Sequence, residues 1–204
     1  MPNSAFFRNL GLFAEDGFLD SETCVRIREQ MCAAATKKGV VIGDGTKEGV
    51  VDEEWRKVLC AEVDETTGAL IKAKLFAIIP KLEKHFDVTL TGCDGPIFLR
   101  YGEQAFYKPH RDASDDSPAE IRKRKVSGII FLNAKSREAS PGCYGGGALK
   151  FYGLMEGPQW EKCGFPLDAE PGLFIAFRPE TMHEVLPVTF GQRFTIVNWF
   201  TTDD

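Results

Sequence analysis

The sequence predicts an α+β protein, with a helical first half followed by a β-rich second half forming a double-sheet barrel or jelly roll. Three observations lead there. Apolar residues recur at helical spacing over two stretches before residue 88. Beyond it, short runs rich in β-branched and aromatic residues alternate with Gly, Pro, Asn and Asp turns. The 204 residues have the length of one domain. Helices first, then about seven or eight short strands, is the pattern of layers whose barrel interior can hold a ligand.

Taken in order, Asp20-Ser21 is an N-cap signal. Cys24, Ile27, Met31 and Cys32 follow at helical spacing and Gly39 offers a stop, so the first helix is expected over 21–37. The second is expected from Thr67 to His85, where Leu70, Ile71, Leu75, Ile78, Ile79 and Leu82 mark one stripe. Pro80 is expected to bend or divide it. His85 lies at its C-terminal end, where the helix dipole favours a cation, and is expected to be structural or surface-exposed. Strands are expected at 97–101, 105–110, 126–133, 148–152, 173–177, 183–188 and 193–200. The organisation expected is a single domain over 1–204. Residues 1–87 are mainly helical support, and residues 88–204 form the barrel core with the active site.

Composition narrows the function classes. A formal charge of −5 leaves no basic surplus to neutralise phosphates, so no nucleic-acid partner is expected. The basic run Arg122-Lys123-Arg124-Lys125 reads as a solvated loop. No segment approaches the roughly 18 apolar residues that span a bilayer, so no membrane partner is expected. Without a signal pattern at its N-terminus, the chain is expected in the cytoplasm. Six scattered cysteines include no C-x-x-C, which disfavours a zinc ribbon and leaves buried hydrophobes or free thiols. Gly145-Gly146-Gly147 lacks the spacing of a phosphate loop and instead permits a tight turn or close backbone approach.

The chemistry concentrates in Tyr107-Lys108-Pro109-His110-Arg111-Asp112, Thr181-Met182-His183 and Arg193. Only three histidines are present, and this pattern uses two. Residues i and i+2 of a strand point to one side, so His110 and Asp112 can reach one metal from one strand end. His183 would come from a distant strand. Two imidazoles and a carboxylate on one face of a metal form the facial triad of a non-heme Fe(II) oxygenase. A zinc hydrolase using the same ligands would need a general base that the sequence does not identify. A barrel serving only as a binding module is the other alternative. Along Arg193–Phe200, Arg193, Thr195, Val197 and Trp199 share a face. If that face is interior, the guanidinium needs an anion, and a dicarboxylate ligand supplies one with bidentate geometry.

From about Phe98 to Phe200 the chain resembles the prolyl 4-hydroxylase-like branch of the 2-oxoglutarate/Fe(II)-dependent dioxygenases. The matching pieces are Leu99-Arg100-Tyr101-Gly102, the H-x-D, Ser127-Gly128-Ile129-Ile130-Phe131-Leu132-Asn133 and Gly146-Gly147-Ala148-Leu149-Lys150-Phe151. They continue through His183-Glu184-Val185-Leu186-Pro187-Val188-Thr189 and Arg193-Phe194-Thr195. Asp16-Gly17-Phe18-Leu19-Asp20 resembles the family's entry to its first helix. The resemblance implies a double-stranded β-helix (a jelly-roll, cupin-like barrel) flanked by N-terminal helices. It implies catalytic Fe(II) on His110, Asp112 and His183, and 2-oxoglutarate held through its far carboxylate by Arg193 and Thr195. Tyr101 would line that pocket, with Arg124 and Trp199 on the substrate side. O2 is the co-substrate and ascorbate the implied reductant. The substrate implied is a prolyl or other amino-acid side chain, free or peptidyl, hydroxylated with release of succinate and CO2. A small natural-product intermediate is the rival. Oligomeric state stays open.

One position departs from the family: Phe131 stands where some relatives carry a tyrosine that reaches the co-substrate carboxylate. The intact Asp112 argues against halogenating variants. Residues 113–124 and 134–146, both polar, are expected to be mobile lids over the iron.

Overall fold

The computed structural model describes residues 4–41, 49–155, 157–158, 160, 162–167 and 170–203. Among these the chain runs α1 (Ser4–Asn9), β1 (Phe13–Glu15), α2 (Ser21–Ala33), β2 (Thr36–Lys38), β3 (Arg56–Lys57), β4 (Leu59–Ala61) and α3 (Glu65–Phe86). It continues through β5 (Gly92–Tyr101), β6 (Phe106–His110), α4 (Ala119–Arg122), β7 (Arg124–Phe131), β8 (Tyr144–Gly146) and β9 (Leu149–Tyr152). Last come β10 (Gly164–Leu167), β11 (Phe174–Phe177), β12 (His183–Val185), β13 (Val188–Gly191) and β14 (Arg193–Thr201).

α2 starts where the sequence places it, with Asp20 accepting a hydrogen bond from the Thr23 amide at 2.7 Å. α3 starts two residues before the expected Thr67, because Asp64 caps it by accepting from the Thr67 amide at 2.7 Å. α2 is shorter than the expected 21–37. Ala34 turns extended at ψ 154, and Thr36–Lys38 pairs antiparallel with β4. Tertiary pairing overrides local helix propensity there. α3 is one 22-residue helix with Pro80 inside it. The carbonyl that Pro80 leaves unpaired belongs to Phe76, on the solvent side at 41% exposure, where water can take the bond. His85 packs its ring against Phe13 and Phe86 at centroid distances of 5.5 and 4.6 Å, the structural place expected of it.

The strands form a mixed α/β architecture of antiparallel sheets. The large sheet has the order β1-β11-β7-β14-β5-β4-β2, the smaller β10-β9-β12-β6-β3, and β13 pairs with β8 alone. The first 87 residues therefore supply strands to both larger sheets as well as helices. The expected strand 183–188 is interrupted, with β12 ending at Val185 and β13 beginning at Val188.

The large sheet is covered on both faces. Ile27 and Met31 of α2 and Ile71, Leu75 and Leu82 of α3 pack on Phe98, Ile130, Phe174, Phe194, Ile196 and Phe200. Each such side chain contributes about 1.5–3 kcal/mol on burial. The opposite face meets the smaller sheet through Leu99, Ile129, Phe131 and Ile175 against Leu149, Phe151 and Val185. A strand alternates its side chains, so β14 sends Phe194, Ile196 and Phe200 to the helices and Arg193, Thr195, Val197 and Trp199 to the inter-sheet space.

The turn into α2 is locked to the sheet by Gly172. Its carbonyl accepts from the Leu19 amide at 3.3 Å and its amide donates to Phe131 O at 2.8 Å. Its φ is +83°, and a Cβ there would lie 2.0 Å from the Leu19 carbonyl oxygen. Gly172→Ala is expected to cost about 2–4 kcal/mol through strain and displacement of that turn. A urea denaturation midpoint equal to wild type would contradict this.

Candidate active site

The triad is assembled by a strand register. β12 pairs antiparallel with β6 so that His183 lies directly opposite His110. β6 ends at His110, and Asp112 sits just beyond it. The Asp112 and Ala113 amides both donate to Pro179 O, at 2.9 and 3.2 Å, and Arg111 Nε donates to Glu180 O at 2.9 Å. These bonds, more than strand alternation, carry the Asp112 carboxylate to the imidazoles. His110 Nε2 lies 3.9 Å from one carboxylate oxygen and His183 Nε2 3.7 Å from the other. One ligand atom from each of the three lies within 4.8 Å of the others.

The donor set suits a divalent metal. His110 Nδ1 faces Lys108 O at 2.8 Å and His183 Nδ1 faces Thr181 O at 2.9 Å. A carbonyl only accepts, so each Nδ1 carries a proton and each Nε2 faces the centre. Burial, with the neighbouring His183, pushes the His110 imidazole down to about 3, so it is neutral at ordinary pH. Burial alone would raise the Asp112 carboxyl, but the two imidazoles outweigh it and the net shift is downward. The result is a neutral His110 imidazole, the His183 ring and one carboxylate, a donor set of two nitrogens and an oxygen.

The cavity beside the triad lies between the two larger sheets. Arg193, Thr195, Val197 and Trp199 of β14 all line it, as their shared face requires. Arg193 is 1% exposed. Its Nη1 donates to Thr195 Oγ1 at 3.3 Å, while Nε and Nη2 are buried without a partner. The Tyr101 and Phe131 rings flank its Cζ at 5.1 and 5.3 Å. Among the described residues no carboxylate pairs with it. A buried guanidinium in that state is costly until an anion reaches it, and a dicarboxylate co-substrate fits that need.

Tyr101 lines the same cavity, and burial holds its phenol above the usual range, so its hydroxyl remains a donor. Arg124 stacks on Trp199, with Cζ 3.8 Å from the ring. It also donates to Asp112 O at 3.2 Å and faces Asp94 Oδ2 at 3.7 Å. It is thus tied to the triad segment as well as to the rim, and does not behave as a member of a solvated run. Two polar cavity residues were given no role by the sequence. Tyr107, at the head of the H-x-D motif, stacks on His110 at 3.5 Å and 16°. Arg56 comes from β3 and reaches the cavity from the first half of the chain. No local pattern marks it, since Trp55–Leu59 mixes apolar and basic residues.

The two expected lid segments lie at different ends. Residues 113–123 lead from Asp112 to the start of β7, beside the triad. Residues 134–146 leave the opposite end of β7, where Arg193 begins β14. There Gly142 O accepts from Arg28 of α2 at 2.9 Å and from Asn133 at 3.0 Å, and Tyr144 is buried. That segment packs on α2 and does not cover the triad.

A triad of this type in a cavity with a buried, anion-seeking arginine defines a non-heme Fe(II) oxygenase site. Residues 96–201 match the family model of the 2OG-Fe(II) oxygenase superfamily, and the chain belongs to that family. A PKHD-type hydroxylase of Maricaulis maris is 26% identical over 188 residues, spanning 92% of this chain and 68% of that protein. Among solved structures, a Pseudomonas putida prolyl-4-hydroxylase superposes with TM-score 0.67 at 19% identity, covering 97% of this chain and 98% of that one. A prolyl hydroxylase from Trichoplax adhaerens, in complex with a hypoxia inducible factor peptide fragment, superposes with TM-score 0.69 at 20% identity. It covers 97% of this chain and 88% of that one. The chain is thus a dioxygenase of a family that uses Fe(II), 2-oxoglutarate and O2, and its fold is similar to that of prolyl 4-hydroxylases.

The metal-free site is predicted to make stability pH-dependent. His110 is held at about 3 against an ordinary 6.5, so between those values the unfolded chain takes up a proton that the folded chain refuses. Stability therefore falls as pH drops through that window. The lowered Asp112 acts in the same direction, its contribution being present above 3.8 and lost as pH falls through its folded value. Urea midpoints of metal-free protein are expected to drop between about pH 7 and about pH 4.5, and less steeply in His110→Asn. Parallel profiles for the two proteins would refute this.

Proposed function

We propose that this dioxygenase hydroxylates an unactivated C–H of a prolyl or other amino-acid side chain, free or peptidyl, with succinate and CO2 as co-products. The observation that carries the reading is the pairing of the His110–Asp112–His183 triad with the unpartnered, buried Arg193 in one cavity. In this reading His110, Asp112 and His183 would hold Fe(II) in the cavity that also takes 2-oxoglutarate. Arg193 takes the far carboxylate of 2-oxoglutarate, with Thr195 and Tyr101 beside it. Phe131 offers no hydroxyl, so the carboxylate depends on Arg193 and Thr195 more than in relatives with a tyrosine there. When bound, the iron with its co-substrates supplies the oxidising power to replace hydrogen by hydroxyl at such a carbon.

The protein's own part is positional. The β6–β12 register presents two Nε2 atoms to one centre, and the Pro179 carbonyl anchors Asp112 beside them. Arg124 and Trp199, stacked at the cavity rim, orient the substrate. The two facing sheets are read as the family's double-stranded β-helix. The chain is read as one oxygenase domain, residues 1–87 supporting a site carried mainly by 88–204. A peptidyl substrate is favoured by the Trichoplax relative, which is seen with a peptide.

His110→Ala, Asp112→Ala and His183→Ala are each expected to abolish turnover and Fe(II) binding while leaving the chain folded. Anaerobic isothermal titration with Fe(II) checks this, and wild-type affinity in all three would sink the triad. Arg193→Ala is expected to raise the 2-oxoglutarate requirement roughly tenfold or more, as loss of a charge-assisted contact predicts. Succinate release across a 2-oxoglutarate titration measures it. An unchanged requirement would remove Arg193 from the co-substrate site.

A further inference from the structure

Arg56 is the cavity group that the proposed function leaves unused. It sits on β3, the edge strand of the smaller sheet, directly opposite Tyr107 of β6. Its Cζ lies 4.7 Å from the centre of the Tyr107 ring, and that ring is itself stacked on His110. The guanidinium is thus one aromatic ring away from a metal ligand. Its Nη1 donates to Val40 O at 2.6 Å, while its Nε is buried with no acceptor. Bare backbone at Gly39 makes the room: a Cβ there would lie 3.2 Å from Arg56 Nε and 2.5 Å from Val58 Cγ1. A long cation has been threaded between two strands into a cavity, with donor capacity left over.

Two other basic groups near the site have acidic neighbours. Arg124 faces Asp94, and Lys150 faces Glu184 at 3.4 Å. Among the described residues no carboxylate pairs with Arg56. The charge balance of the loaded cavity then points to an occupant. Fe(II), Arg193 and Arg56 bring four positive charges; Asp112 and 2-oxoglutarate bring three negative ones. One positive charge remains, and it lies at Arg56 because Arg193 is taken by the co-substrate. A partly desolvated guanidinium is matched best by a planar, bidentate anion.

We propose that Arg56 binds a carboxylate of the primary substrate, so that the molecule hydroxylated carries a free carboxyl group close to its reacting carbon. This rests on the proposed hydroxylase reading and deepens it. The free α-carboxylate of an amino acid and the C-terminal carboxylate of a peptide share this chemistry. A residue inside a peptide, with both ends in amide bonds, lacks it unless its own side chain is acidic.

The test is binding to the anaerobic, Fe(II)- and 2-oxoglutarate-loaded enzyme, followed by calorimetry so that turnover is not required. The probes are the common L-amino acids, the same amino acids as C-terminal amides, and short prolyl peptides with free or amidated C-termini. At least one free acid is expected to bind, with its amide weaker by roughly tenfold or more. Arg56→Gln is expected to reduce the acid to the level of the amide. Arg56→Lys, which keeps the charge but loses the fork, is expected to recover part of the difference. Free and amidated peptides separate a C-terminal residue from a free amino acid as the source of the carboxylate. Thermal melts establish that the variants are folded, and if Arg56→Gln is not, the Arg56→Lys comparison decides.

Equal binding of acids and amides to wild type, binding of amides alone, or no binding by any probe would overturn the proposal. So would an Arg56→Gln variant that loses affinity for 2-oxoglutarate and not for the acid, since Arg56 would then serve the co-substrate. The hydroxylase reading fails separately, if the wild-type enzyme releases no succinate in an Fe(II)- and 2-oxoglutarate-dependent manner.

Discussion

The alternation of β14 is the constraint on which the site depends. Phe194, Ile196 and Phe200 are driven into the layer under α2 and α3, and that burial fixes the opposite face of the same strand. Arg193, Thr195, Val197 and Trp199 are then committed to the cavity. A one-residue slip would exchange the two sets, exposing three large apolar side chains to the cavity and sending a guanidinium into the helix layer. The hydrophobic energy of the helix face thus holds a buried cation where it lacks a partner of its own. α3 lies remote from the triad in sequence, yet its packing helps set the position of Arg193.

The electrostatics of the cavity follow from which charges are answered within the protein. Arg124 is answered by Asp94 and by the carbonyl of Asp112, so its charge is spent on holding the triad segment and the Trp199 ring. Arg193, Arg56 and Arg124 each keep a buried donor without a hydrogen-bond partner, and among the described residues the first two also lack a carboxylate neighbour. Buried unsatisfied donors are rare in folded proteins because each costs on the order of 1–3 kcal/mol. The presence of Arg193 and Arg56 in one cavity, beside the His110–Asp112–His183 set, marks the places where ligand atoms complete the structure. The two arginines approach from opposite sheets, one from β14 and one from β3, so the cavity has a cation on each side.

The segments flanking β7 show how similar composition can serve different ends. Both are polar and rich in turn residues. Residues 113–123 begin at a triad ligand and carry α4, none of whose residues is buried. Residues 134–146 are pinned by Arg28 and Asn133 and bury Tyr144. The glycines at 145–147 bring β8 close to β13: a Cβ on Gly146 would lie 2.3 Å from Pro187 O. That close approach is what the sequence suggested of the glycine run, and it serves packing.

By itself, the sequence determined the start of α2, the β-rich second half, the grouping of His110, Asp112 and His183, and the cavity-facing side of β14. Each of these is a local matter: caps act within three residues, strand alternation has a period of two, and a metal ligand must be one of few residue types. Tertiary structure decided the rest. Thr36–Lys38 became a strand because β4 lies beside it, and Pro80 stayed inside α3 because the carbonyl it frees faces water. The helical-support half proved to supply strands to both larger sheets, since edge pairing depends on what lies alongside and not on local pattern. Arg56 was illegible for the same reason. Nothing within its own neighbourhood marks it, and only the pairing of β3 with β6, some 50 residues further on, turns an ordinary arginine toward the cavity.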